Sequence, residues 1–340
     1  MNLKKSVLAA ALAAGIFGLH ISNVQAANVM KVGLGVPESH FEVRGMRLFE
    51  KYVEEKTNGE IEVELYPATQ LGNDKEVLES IKVGIAQMNL PGPAVLSNFV
   101  KDFSIISLPY LFDNVDIANR VVDGKWGKDL LQKLNKAGFV GLGYGNFGYR
   151  QVTNNKRPIT KLEDFKDLKL RVMQNPSHIA TFRKLGANPT AMAFSEVFSA
   201  LQQGVIDGQE NPLKNISSNK LHEVQKYLTL TDHAYEWVVF VVGKKWYDKL
   251  TPKQQQVLQE ASDIAIKYMR EAVEQDDAEA LEEIKSAGVQ ITVLDPAEKE
   301  RIHKVAYEEV TAQGNKVNAE LFKSLNEAIE QAKADIASGK

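Results

Sequence analysis

With 340 residues, 44% of them hydrophobic and 25% charged, the chain can bury the cores of two ordinary domains, which excludes a disordered polymer. Its 41 basic and 44 acidic residues give a formal charge of −3 and no basic footprint, so nucleic acid is not an expected partner. The absence of cysteine excludes disulfides, thiolate metal sites and a cysteine nucleophile.

Residues 1–26 read as an export signal. Lys4 and Lys5 precede an apolar run over 7–19, and Val24-Gln25-Ala26 places small residues where a signal peptidase cuts. Cleavage after Ala26 and residence in the periplasm are expected, and losing the two lysines leaves 39 basic residues and a charge of −5. A retained membrane anchor is the alternative, but it needs about 20 apolar residues and this run is shorter.

Residues 29–35 then read as a strand ending in glycines. A helix over 41–56 places Phe41, Met46, Phe49 and Val53 near helical spacing before Asn58-Gly59 stops it. Residues 61–66 alternate apolar and charged side chains, as a half-exposed strand does. A helix over 74–83 closes at Gly84, and a strand over 85–90 runs into Pro91-Gly92-Pro93. A loop at the C-terminal end of a strand is where open α/β sheets present ligand contacts. Residues 105–112 read as buried and irregular, 118–122 and 127–137 as helical, and 139–144 as a strand. This alternation implies an α/β fold with a largely parallel, doubly wound sheet.

A second unit begins near 145–150. It runs through a strand or loop at 151–155, a helical turn at 160–167, a strand at 168–173, helices at 177–185 and 194–203, and the polar run 206–212. Residues 224–230 and 237–242 read as strands, the second suited to carry the chain back into the first unit. Long charged helices over 252–287 and 298–337 flank a strand at 290–294.

Gly143-Tyr144-Gly145-Asn146-Phe147-Gly148 matches G-x-G-x-x-G, but the next residues, Tyr149-Arg150-Gln151-Val152-Thr153-Asn154, are not helix-like. No helix N-terminus therefore meets a pyrophosphate, and a hinge or tight loop is the better reading. The histidines His40, His178, His222, His233 and His303 show no metal-ligand spacing, and no metal or other cofactor is expected. There is no nucleophile elbow or Walker loop, and no pair of carboxylates stands out as a glycosidase pair. Arg150, after an aromatic and glycine-rich turn, and Arg171, inside the strand Leu170-Arg171-Val172, are more informative. Each offers a planar fork of donors that suits a carboxylate, or alternatively forms a structural ion pair.

Leu168-Lys169-Leu170-Arg171-Val172, Gly186-Ala187-Asn188-Pro189-Thr190, Phe194-Ser195-Glu196-Val197-Phe198 and Asp207-Gly208-Gln209-Glu210-Asn211-Pro212 resemble the substrate-binding proteins of TRAP transporters, the tripartite ATP-independent periplasmic systems. Thr57-Asn58-Gly59, Gln70-Leu71-Gly72, Leu108-Pro109-Tyr110-Leu111-Phe112 and Glu223-Val224-Gln225-Lys226-Tyr227 fall in the family's order. The resemblance implies a non-enzymatic, two-lobed periplasmic binding protein of the Venus-flytrap type, with mixed, mostly parallel sheets and long helices near the C-terminus. Its lobes are expected at 27–148 with about 237–275, and at 149–236 with about 276–310, followed by a C-terminal helix over 311–340. The implied ligand is a small organic acid, a C4-dicarboxylate or a sugar acid such as a uronate or aldonate, delivered to membrane permease subunits. A sensor receptor of the same fold and a sialic acid binder are the alternatives. By the same resemblance Arg171 pairs with the ligand carboxylate, with Asn211 beside it, Arg150 as a second arginine and Phe194 as an aromatic neighbour. Asp74, Glu236, His40 and Asn89 are the candidates for the rest of the ligand. Gly35 stands where sialate binders carry asparagine, and Pro91-Gly92-Pro93 lacks their acidic residue, although Asp74 matches an acid of that subgroup.

Overall fold

The computed structural model describes residues 28–339; the segment read as an export signal lies outside them. In chain order the elements are β1 (Asn28–Gly33), α1 (Phe41–Lys56), β2 (Ile61–Tyr66), α2 (Asp74–Val83), β3 (Met88–Asn89), α3 (Pro93–Leu96), α4 (Val115–Asp123), α5 (Lys125–Gln132) and β4 (Phe139–Asn154). Next come β5 (Lys169–Val172), α6 (Pro176–Lys184), β6 (Asn188–Ala191), α7 (Val197–Gln202), β7 (Gly208–Pro212), α8 (Leu213–Ser218), β8 (Tyr227–Leu230) and β9 (Tyr235–Gly243). The chain ends with α9 (Lys244–Tyr247), α10 (Pro252–Ser286), β10 (Gln290–Val293) and α11 (Pro296–Ala337).

Local chemistry sets most helix ends. Asn73 and Glu76 form a capping box at the start of α2, which stops at Gly84 in the left-handed region, φ 85°. Thr251 and Gln254 do the same for α10, with Pro252 at a first-turn position that needs no amide donor. In α11 the helix breaks at Asn318, φ −165° and ψ 97°, and the Asn318 side chain accepts from the Leu321 amide to restart it. Beyond this kink the second helical part of α11 runs on to Ala337.

The strand order is β2-β1-β3-β9-β4-β7-β5-β6, with β8 pairing β4 and β10 pairing β8. Among the described residues five pairings are parallel and four antiparallel, and every antiparallel one involves β4 or β9. The sheet is thus mixed, with the parallel strands at its two ends and the reversed strands in the middle. The strand expected at 139–144 does not end there. It continues through Asn154, pairing β9 as far as Tyr149 and β7 from Arg150 onward.

The G-x-G-x-x-G run lies inside this strand, so the tight loop expected there is absent. Register shifts fall between Gly141 and Gly143 and between Asn146 and Gly148, and Gly148 has φ 110°. A Cβ on Gly143 would stand 2.5 Å from Ile266 Cδ1, and one on Gly145 2.9 Å from Met269 Sδ. These glycines let α10 lie close on the strand; they do not cradle a phosphate.

Among the described residues the apolar side chains gather into four hydrophobic cores. α1 and the first part of α10, to Val273, cover one face of the β1–β3–β9 sheet, while α2, α4, α5 and the far part of α11 cover the other. Beyond the crossing, β5 packs on α6 and on Ile302 and Ala306 of α11, and α7 and α8 pack with Ala280 and Ile284 of α10. Both long helices therefore serve both lobes, joining them by buried apolar surface as well as by backbone.

Gly208 opens β7 where a Cβ would overlap the Thr153 carbonyl oxygen of β4, which is backbone and cannot swing aside. Gly208→Ala is expected to cost about 1 to 3 kcal/mol, read as a lower urea midpoint with an unchanged m-value.

Candidate functional site

A cleft of about 800 Å3, open to solvent, lies between the two groups of strands. Of the eight side chains selected from the sequence, Asp74, Arg150, Arg171, Phe194, Asn211 and Glu236 line it. Most are placed by an element already described: Asp74 opens α2, Arg150 sits on β4 where it leaves β9 for β7, Glu236 is on β9, Arg171 on β5 and Asn211 on β7.

The two arginines are equally buried, at 2% and 3% exposure, but differ in their partners. Arg150 donates through Nε to Glu210 Oε2, through Nη1 to Glu236 Oε2 at 3.2 Å, and through Nη2 to the Glu210 carbonyl at 2.6 Å. Burial works against its charge, yet the two carboxylates carry its pKa above the ordinary value. Arg171 donates through Nε and Nη2 to the Met192 carbonyl at 3.0 and 2.7 Å, and its Cζ lies 5.9 Å from the centre of the Phe194 ring. Among the described residues no carboxylate lies within 4 Å of it and its Nη1 has no partner. Burial lowers its pKa to about 10, so at neutral pH it remains a cation without a counter-charge in contact.

The carboxyls around the cleft respond in opposite ways. Burial alone would raise Glu210, but Arg150 and the His233 ring, 3.1 Å away, pull it well below the usual range. Burial raises Glu236 to about 7 against the pull of Arg150, and its Oε1 is buried with no hydrogen-bond partner. Burial also raises Asp74 to about 6, with the Asn89 amide opposing the shift. Asn211 is held by a run of amides: its Oδ1 accepts from Asn215 Nδ2 at 2.7 Å, and Asn215 Oδ1 accepts from Asn219 Nδ2 at 2.7 Å. The arrangement suits a small anion laid against Arg171 and Phe194. Among the described residues no group of acids and histidines is arranged to hold a metal ion.

Residues 32–317 match the family of bacterial extracellular solute-binding proteins, family 7. The chain belongs to this family. The 2,3-diketo-L-gulonate-binding periplasmic protein of Escherichia coli K12 is 34% identical over 86% of this chain and 89% of its own length. The C4-dicarboxylate-binding periplasmic protein of Rhodobacter capsulatus is 37% identical over 72% and 74%. The sugar acid binding protein of Advenella mimigardefordensis, solved with galactonate, superposes with a TM-score of 0.87 at 33% identity, over 90% of this chain and 99% of that one. Family 7 consists of extracytoplasmic solute-binding proteins, and the TRAP-type, two-lobed α/β fold expected from the sequence is the one found.

Within this family 7 protein two of the selected residues do not reach the cleft wall. His40 is the N-cap of α1: its Nδ1 accepts from the Glu42 amide at 3.1 Å and its ring stacks on Phe147 at 5.0 Å. Burial keeps it neutral, with a pKa well below the usual value. Asn89, 1% exposed, does not line the cleft, whereas the next residue, Leu90, does, as side chains along an extended segment alternate. Conversely, Glu42 lines the cleft at 2% exposure and was not selected. An acid in a helix's first turn is the ordinary partner of the helix dipole, so Glu42 carried no distinguishing signal beyond its place between the apolar Phe41 and Val43.

These shifts set a pH dependence. Asp74, Glu236 and Asp277, the last also raised by burial to about 7, bind protons in the folded state that the unfolded chain has already released. Their contribution is complete below about pH 4 and is lost as pH rises through 6 to 7. Ligand-free protein is therefore expected to melt at a lower temperature at pH 7.5 than at pH 5.5. Each group contributes at most about 1.4 kcal/mol per pH unit, and Glu236→Gln should flatten the slope in a melting series across that range.

Proposed function

We propose that this protein captures a small organic acid in the periplasm by an arginine–carboxylate clamp at Arg171, and delivers it to the membrane permease subunits of a TRAP transporter without chemical change. The observation that carries the reading is Arg171 itself: a buried guanidinium, turned to a cleft, with no carboxylate partner among the described residues. A cation in that state is compensated by an anion brought from outside, and charge-assisted hydrogen bonds of this kind contribute about 1.5 to 3 kcal/mol each. The acids for which the relatives are named, diketogulonate and C4-dicarboxylates, and the galactonate of the Advenella complex all offer such a carboxylate.

In this reading Asn211 and Phe194 flank the clamp, and Arg150, held by Glu210 and Glu236, fixes the wall beside it. Asp74 and Glu236 meet the rest of the ligand. A ligand touching both walls binds the closed arrangement better than the open one and so draws the lobes together. The lobes are 27–148 with about 237–275 and 149–236 with about 276–310. Supporting this division, Val273 packs in one core and Ala280 in another along the same helix. Export with cleavage after Ala26 delivers the protein to the compartment where such a receptor works.

A thermal-shift screen of dicarboxylates, uronates and aldonates should find the ligand, since an acid present at one hundred times its Kd adds about 2.7 kcal/mol of stability. With that acid, Arg171→Lys is expected to lose roughly tenfold to a hundredfold in affinity by isothermal titration, because a point charge replaces a two-pronged donor. Unchanged affinity would remove the clamp.

A further inference from the structure

Among the described residues, the wall facing Arg171 carries acids and no buried cation. Glu42, from the first turn of α1, is 2% exposed and lines the cleft, and it has no side-chain hydrogen bond or ion pair among the described residues. Asp74 lines the same wall, with no basic group within 4 Å among those residues, and it stands close enough to Glu42 for its charge to raise the Glu42 pKa. Glu236 adds an independent sign that the cleft awaits a polar ligand: it is 5% exposed, its Oε1 has no partner, and a Cβ placed on cleft-lining Gly92 would stand 2.8 Å from that oxygen. The remaining charges are accounted for. Lys75 is exposed and pairs with neither acid, while Arg150 is engaged by Glu210 and Glu236.

Resting on the carboxylate clamp at Arg171, we propose that Glu42 and Asp74 are specificity-determining residues that accept a polyhydroxylated monocarboxylic acid and reject a dicarboxylate. A hydroxyl can donate to either acid, and it can donate to or accept from Glu236, so several hydroxyls on a chain or ring satisfy the wall. A second carboxylate has no proton to give at neutral pH. It would be placed beside the Asp74 charge in surroundings that water screens poorly, which is the usual physical basis of discrimination by repulsion.

The test uses the full mature chain at pH 7.5 and isothermal titration with D-galactonate, D-glucuronate and succinate. At least one of the two hydroxy acids is expected to bind about 100-fold more tightly than succinate. In the double variant Glu42→Gln, Asp74→Asn the ratio should shrink by about tenfold or more through tighter succinate binding, since amides can donate to a carboxylate. A melting curve at least as high as that of the parent establishes that the variant is folded. Succinate binding as tightly as the hydroxy acids, or a ratio unmoved by the double variant, overturns the selection by this wall and leaves the clamp standing. Failure of both hydroxy acids to bind also overturns the selection, whereas the clamp itself is judged by Arg171→Lys with the acid found in the screen.

Discussion

Two guanidiniums lie within one cleft wall, and in surroundings of low polarity a buried charge must meet an opposite charge or destabilise the fold. For Arg150 the protein supplies the answer: Glu210 and Glu236 take three of its donors together with the Glu210 carbonyl. For Arg171 it supplies only the Met192 carbonyl and the face of Phe194. The same residue type at the same burial is thus closed in one place and left open in the other. That difference makes one of them a structural pin and underlies the proposal that the other receives an anion.

The contrast depends on β4. Because a single sixteen-residue strand leaves β9 and joins β7 without a break, Arg150 falls at the seam, within reach of carboxylates from both partners. Glu236 comes from β9 and Glu210 from β7, so the pinned arginine ties together the strands that meet where the lobes join. The glycines of β4 serve the same end by letting α10 settle against the strand, and α10 and α11 then carry apolar side chains into the cores on both sides. Shape and charge compensation are therefore set by one backbone segment.

The opposite wall obeys a different rule. Asp74 gains from the positive end of α2, since it opens that helix beside a complete capping box, yet burial still raises it. Glu42 is buried further and its pKa is raised well above the ordinary value, first by burial and then by Asp74. The protein keeps such groups at a cost in stability, as functional sites generally do, offset by the large apolar cores elsewhere.

Much was legible in the chain itself. Capping residues, glycine stops and apolar spacing placed α1, α2 and α10 within a residue or two. The ordered motifs around Arg171 and Asn211 carried the family, because each is a short contiguous run, on β5 and on β7. What the sequence could not convey was the partner of each polar group. Arg150 and Arg171 look alike in one dimension; only the register that sets Arg150 opposite Pro212 brings Glu210 to the first and leaves the second without a carboxylate. His40 read as a cleft residue and is an N-cap, Asn89 is buried and does not line the cleft, and Glu42 read as an ordinary first-turn acid and lines it. The sequence by itself determined the elements, the two-lobed fold and the family, since these come from local spacing and contiguous motifs. The tertiary structure alone decided which charges are satisfied and which are left open, because pairing is settled by contacts between residues sixty or more positions apart.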